Sequence, residues 1–186
     1  MSIYKIKPDI KNYKAFYLID DDKNIDLHVE GYFDFKGQSK ANDWNGARVY
    51  LDNTYDNAKT ELPIADICKF NVHALAYSEK AVNVLKEILE ESGELLPFEC
   101  DGNKWWVHNI TNVVDVLDTD LTTMELMESG RFIIGKTVLD ESKLSKVCLF
   151  KAKQRMGLIL GHDVSENDYK ALIVSSGLRG LIFSAK

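Results

Sequence analysis

Two neighbouring indoles and a run of three carboxylates are the residues of this chain best suited to recognition chemistry. Trp105-Trp106 opens a β-branched and aromatic stretch, 105–110. Side chains alternate along a strand, so one indole approaches the surface unless helices cover both faces, and Trp is a favoured interface anchor there. Asp20, Asp21 and Asp22 form an acidic turn with Lys23 and Asn24. Such a turn suits a metal ion or a basic partner, set against its ordinary role as a solvated loop that holds like charges apart. Asp20, Asp21, Asp22, Trp105 and Trp106 are therefore the candidate partner-binding residues.

Other constellations fall short of a mechanism. Cys68, His73, Cys100 and His108 offer zinc-type donors, but neither Cys–His spacing is a knuckle. Small buried cysteines and strand or loop histidines are the expected identities, with no metal site. Gly130 to Thr137 has the spacing G-x-x-x-x-G-K-T, yet Arg131, Phe132, Ile133 and Ile134 fill it as a β-run, and no convincing helix follows to present N–H groups to a phosphate. No G-x-S-x-G signature marks a nucleophile, and His162-Asp163 precedes Ser165 as part of a helix-entry loop. No catalytic residue and no cofactor is expected.

The elements that must position these residues read as one domain over 1–186, without repeat or linker. Strands are predicted over 3–6, 15–19, 27–35, 105–110, 131–134, 147–151, 157–160 and 180–183, while 113–117 fits either a strand or a helical turn. A helix starts at the N-cap Ser78, carries Ala81, Val82, Leu85, Ile88 and Leu89 on one stripe, and is predicted to stop at a left-handed Gly93. In a second helix Ser165 and Asp168 resemble a capping box, Val164 and Tyr169 sit at staple positions, Leu172 and Ile173 face the core, and Gly177 is the left-handed end. Gly37 sits in a polar turn, where a side chain is expected to matter less. Few helices among many short strands predict an α+β fold, a mainly antiparallel or mixed sheet with a few packed helices.

Composition narrows the function classes. The 29 Asp and Glu outnumber 23 Lys and Arg, a net charge of −6, so a broad counterion-release footprint on nucleic acid is not expected. A basic protein partner is easier to accommodate. Lysines interrupt the N-terminal stretch before a signal-peptide core forms, and no run approaches the ~20 apolar residues of a membrane span. Three widely spaced cysteines, Cys68, Cys100 and Cys148, point to a reducing compartment. A cytoplasmic location is expected, with no membrane partner; the oligomeric state is not legible.

The order of segments adds a family resemblance. Tyr77-Ser78-Glu79-Lys80-Ala81-Val82, then Gly93-Glu94-Leu95-Leu96-Pro97-Phe98, then the stretch from Trp106-Val107-His108-Asn109-Ile110 to Asp118, then Leu149-Phe150-Lys151-Ala152 and Ser176-Gly177-Leu178-Arg179-Gly180-Leu181-Ile182-Phe183 together resemble bacterial immunity proteins of polymorphic toxin systems. The resemblance spans 70–183, and the N-terminal third lies outside it. It implies a fold whose marker residues are structural, Ser78 capping, Gly93 stopping and Pro97 breaking the chain. It also implies no cofactor, no catalytic residues, and a cognate toxin as partner. The acidic surplus would suit a basic toxin such as a nuclease-type effector and would speed encounter. The rival expectations are a hydrolytic enzyme built on carboxylates or His162-Asp163, and an adaptor for an unrelated protein. A deep polar pocket with convergent titratable groups would favour the enzyme; an exposed acidic or aromatic patch would favour binding.

Overall fold

A computed structural model describes residues 3–21, 24, 31–54, 60–126, 132–134, 137–144, 148–163 and 168–185. Its strands are β1 (Ile3–Pro8), β2 (Ala15–Leu18), β3 (Val49–Asp52), β4 (Ile67–Lys69), β5 (Leu75–Ser78), β6 (Gly93–Cys100), β7 (Asn103–Ile110), β8 (Val113–Val114), β9 (Met124–Leu126), β10 (Phe132–Ile134), β11 (Leu149–Ala152), β12 (Arg155–His162) and β13 (Leu181–Ala185). Two α-helices occur among the described residues, α1 (Glu79–Ser92) and α2 (Tyr169–Ser176). The largest sheet is ordered β13-β1-β12-β11-β8, antiparallel except for the parallel β8–β11 pair; a second is β4-β5-β7-β6, antiparallel throughout, and β2–β3 and β9–β10 form two separate antiparallel pairs. The chain is an α+β fold in which sheet dominates. No helix among the described residues is long and apolar enough to cross a membrane.

Helix α1 follows from its sequence. The Ser78 hydroxyl accepts the Ala81 N–H at 3.3 Å, and Ala81, Val82, Leu85 and Leu89 are buried along one side. Such a cap stabilises a helix by ~1 kcal/mol. That buried stripe meets Tyr4, Ile6, Leu149 and Ile159 of one sheet and Leu75, Tyr77 and Ile110 of the other, so α1 is the shared filling of the main core. A buried 2.7 Å hydrogen bond between the Tyr77 and Tyr169 hydroxyls ties α2 into the same core. The opposite face of the four-stranded sheet carries an aromatic core of Phe16, Phe33, Phe35, Phe70, Phe98 and Trp105. A third cluster, including Ile3, Leu117, Phe150 and Leu160, lies on the opposite side of the five-stranded sheet.

Several expectations are corrected. Gly93 is not a left-handed stop: its φ is 173°, and α1 runs directly into β6. Glycine is needed there because a Cβ would collide with the Asn109 carbonyl of the neighbouring strand. Pro97 does not break the chain but sits inside β6, an edge strand, where its missing N–H costs no ladder bond. The N-cap of α2 is Asp168, whose carboxylate accepts the Ala171 N–H at 2.9 Å; Asp is as good a cap as Ser, and Val164 and Ser165 lie outside the described residues. His162 is not in a helix-entry loop but is the buried last residue of β12, its N–H bonded to the Cys148 carbonyl at 2.9 Å. Of the strand expected over 27–35, residues 31–35 form a turn and irregular backbone, and 27–30 lie outside the described residues. Residues 113–114 resolve as strand, and 132–134 pair with β9, while Gly130, Arg131, Gly135 and Lys136 lie outside the described residues.

Gly177 closes α2 in the left-handed conformation (φ 65°, ψ 27°), with its N–H and that of Leu178 turned back on the last carbonyls. Gly37 also has positive φ, 90°, and its missing side chain leaves room for Val113, so the polar turn is more constrained than its composition suggests. Gly177→Val should therefore cost roughly 1–2 kcal/mol, the penalty of a left-handed side chain. Gly37→Ala should cost at least as much, because strain and collision combine; urea denaturation of both variants checks this, and a wild-type midpoint for Gly37→Ala would contradict it.

Candidate functional site: a cleft between an irregular strap and the β6 edge

Between Gly31 and Arg48 the chain crosses the two larger sheets without joining either. Such a segment holds its place only if its backbone polar groups find partners, and here side chains from elsewhere supply them. Asn71 Nδ2 donates to the Phe33 carbonyl at 2.9 Å, Lys151 Nζ to the Phe35 carbonyl, and Asn109 Nδ2 to the Gln38 carbonyl at 2.8 Å. The Glu94 carboxylate accepts the Ser39 hydroxyl and, at 2.9 Å each, the Lys40 N–H and Asn109 Nδ2. Burial pushes the Glu94 carboxyl up, but these hydrogen bonds outweigh it and hold it below the usual carboxylate range.

Lys151 is the least expected of these anchors. It is fully buried on β11 and donates also to the His73 carbonyl at 2.7 Å. Burial pushes its amine down to about 8.

The strap's far end builds one wall of an open cleft of about 630 Å³ against the free edge of β6. Trp44, Asn45 and Arg48 line the strap side, Pro97 and Glu99 the β6 side, and Lys104 reaches in from β7. Trp44 stacks on Tyr32 with centroids 5.1 Å apart and planes at 4°, and its indole N–H donates to the Pro97 carbonyl at 2.6 Å. The Tyr32 hydroxyl accepts the Asn45 N–H at 2.7 Å. The result is a braced aromatic wall flanked by two cations and a carboxylate.

The sequence candidates distribute around this cleft unevenly. Asp21 pairs with Arg48 and accepts the Asn24 N–H at 2.9 Å, while Asn24 donates to the Ile19 and Arg48 carbonyls; it thereby fixes a lining residue. Asp20 is exposed, and Asp22 lies outside the described residues. The two indoles do point to opposite faces. Trp105 is 5% exposed in the aromatic core, 5.0 Å edge-on to Phe16, so it is a packing residue. Trp106 is half-buried and packs against the α1-side core, with Lys104 Nζ 4.9 Å from its ring centroid; it does not line the cleft. Trp44 and Arg48 escaped sequence reasoning because 37–48 has no periodicity; the available signal was a lone Trp in a polar loop.

The three thiols and His108 lie outside the cleft. Burial pushes the thiols of Cys68, Cys100 and Cys148 each up to about 11, so none is a thiolate near neutrality. Burial pushes His108 down to about 4; its Nε2 lies 2.9 Å from the Leu89 carbonyl, and the ring is neutral. Cys68 and Cys100 direct their sulfurs at the carbonyls of Ala65 and Val49. Among the described residues no group of three or more His, Cys, Asp or Glu is placed to hold a metal ion. The cleft itself can stack, pair charges and hydrogen-bond. No protein-family model matches the chain, and no curated protein matches its sequence.

Lys151 gives the site a testable pH signature. Its folded pKa of about 8 lies below the ~10.4 of an unfolded lysine. Between these values the unfolded chain binds more protons, so this residue's contribution to stability rises with pH across the window and is constant below it. The stability of the wild type relative to Lys151→Met should therefore increase by roughly 2–4 kcal/mol from pH 7.5 to pH 10.5. Urea titrations of both proteins at intermediate pH values measure it; a pH-independent difference would show that the amine does not titrate there.

Proposed function

We propose that the chain is an immunity protein that binds a cognate toxin stoichiometrically in the cytoplasm and blocks it, with the strap–β6 cleft as a principal contact. The observation that carries this reading is the cleft's construction. Trp44 is braced by Tyr32 and tied to Pro97, Arg48 is set by Asp21, and Lys104 rests over Trp106. Trp and Arg held in fixed orientations are the residues on which binding energy concentrates, because little side-chain freedom remains to be lost. The resemblance over 70–183 supports the same reading. The buried thiols and the neutral His108 support recognition over turnover.

Protection requires nanomolar or tighter affinity, about −12 kcal/mol. The net charge of −6 suits a basic toxin of the nuclease type and accelerates encounter. Co-expression with the product of the neighbouring toxin gene should restore growth, and the two proteins should co-purify in fixed stoichiometry. Arg48→Ala and Lys104→Ala break contacts at half-exposed positions worth under ~1 kcal/mol to folding. Each should raise the dissociation rate about tenfold or more while leaving thermal stability unchanged. Trp105→Ala should instead lower stability. A folded protein that protects against no neighbouring toxin, yet turns over a small substrate, would replace this reading with the enzyme alternative.

A further inference from the structure

The two larger sheets have four edges between them, and the chain manages three of these. The β4 edge is met by the Arg179 carbonyl, which accepts the Ile67 N–H at 3.0 Å. The β6 edge is blunted by Pro97 and capped by the Trp44 indole. The β8 edge is two residues long and has Gly37 packed against Val113. The fourth, β13, has no strand on its outer side among the described residues.

The register fixes which groups face outward on β13. Asp9 N–H donates to the Gly180 carbonyl at 2.8 Å, and the next pair, Pro8 opposite Leu181, includes a residue with no N–H. Hydrogen-bonded and non-bonded pairs alternate in an antiparallel ladder. Lys7–Ile182 and Lys5–Ser184 are therefore the bonded pairs, and Leu181, Phe183 and Ala185 turn their N–H and C=O groups away from β1. The strand reads Leu-Ile-Phe-Ser-Ala, with no charge or proline. Exposed edges are ordinarily protected by just such residues, and an unprotected one is a template for pairing.

We infer that the outer edge of β13 pairs antiparallel with β13 of a second copy of this chain, about a two-fold axis through Phe183. The pattern is self-complementary. Phe183 bonds its own counterpart, Leu181 bonds Ala185 of the partner copy in both directions, and all outward groups of both strands are satisfied. On the side-chain level Ile182, 44% exposed, lies opposite Ser184 of the partner copy. No charge meets its like, whereas a charged foreign strand finds no counter-charge within β13. The contact is isologous and closes at two copies, joining two five-stranded sheets into one. A single strand pair is a small interface, which places its dissociation constant in the micromolar range.

Sedimentation equilibrium of the full chain from about 1 to 300 μM tests it. The mass should climb from 21.1 kDa toward twice that value. Ala185→Pro removes an outward N–H without touching the bonds to β1, and Ile182→Lys places a charge at the exposed position. Both should remain monomeric across the range with an unchanged melting temperature. The double variant Ile182→Cys/Ser184→Cys should form a covalent dimer on mild oxidation, the native cysteines being buried. A wild type monomeric at every concentration overturns the inference. So does a dimer that survives both single variants, or an edge whose Leu181, Phe183 and Ala185 amides gain protection from hydrogen exchange only when a different protein is added.

Discussion

The buried amine of Lys151 holds together parts of the chain that share no secondary structure. From the middle of β11 it reaches the Phe35 carbonyl of the strap and the His73 carbonyl of the β4–β5 connection. Neither carbonyl belongs to a sheet ladder, and a buried carbonyl without a donor costs about 1–3 kcal/mol. One side chain therefore answers for two irregular segments and fastens both to the five-stranded sheet. Its amine carries a desolvation cost for this, seen in its depressed pKa. Beyond Phe35 the strap continues to Gln38, Ser39 and Lys40, which Asn109 and Glu94 hold on the other sheet. The wall of the cleft stands where it does because these anchors precede it.

How much of this was legible in the sequence depended on whether the deciding information was local. Helix α1 was legible because its cap and its stripe lie within a few turns of each other, and Gly177 because the left-handed end of a helix is a property of one residue. Gly93 was not. Its reason is a carbonyl sixteen residues further on, at Asn109, which comes close only after β6 and β7 have paired. Pro97 looked like a break because nothing local says that β6 is an edge. For the strap, the alternation of Tyr32, Phe33, Asp34 and Phe35 imitated a strand, and the aromatic core does bury Phe33 and Phe35. The hydrogen bonds, however, come from side chains up to 116 residues away.

The candidate site was legible only in part for a related reason. Alternation along a strand correctly separated Trp105 from Trp106, but burial decides which of them is available, and burial is set by the elements that cover each face. Asp21 was singled out for its charge, and its structural work is to orient Arg48 and Asn24. Carboxylate, guanidinium and indole thus act as a unit whose members are far apart in sequence. The unit uses few of the chain's reactive groups, since the thiols, His108 and Lys151 are all committed to the interior.

Between Phe33 and Lys40 the strap's hydrogen bonds to the rest of the fold run mostly to its main chain. Asn71, Lys151, Asn109 and Glu94 contact the carbonyls of Phe33, Phe35 and Gln38 and the N–H of Lys40, groups that every residue except proline presents in the same way. The instructions for where this stretch runs are consequently written largely in the sheets, and among its own side chains from Gln38 to Arg48 those of Ser39, Lys40, Trp44 and Arg48 add anchors to Glu94, Gly31, Pro97 and Asp21. Exposed positions such as Gln38, Ala41 and Asn42 can therefore change side chain with the scaffold kept, so that the chemistry of the outer surface is uncoupled from the architecture beneath it.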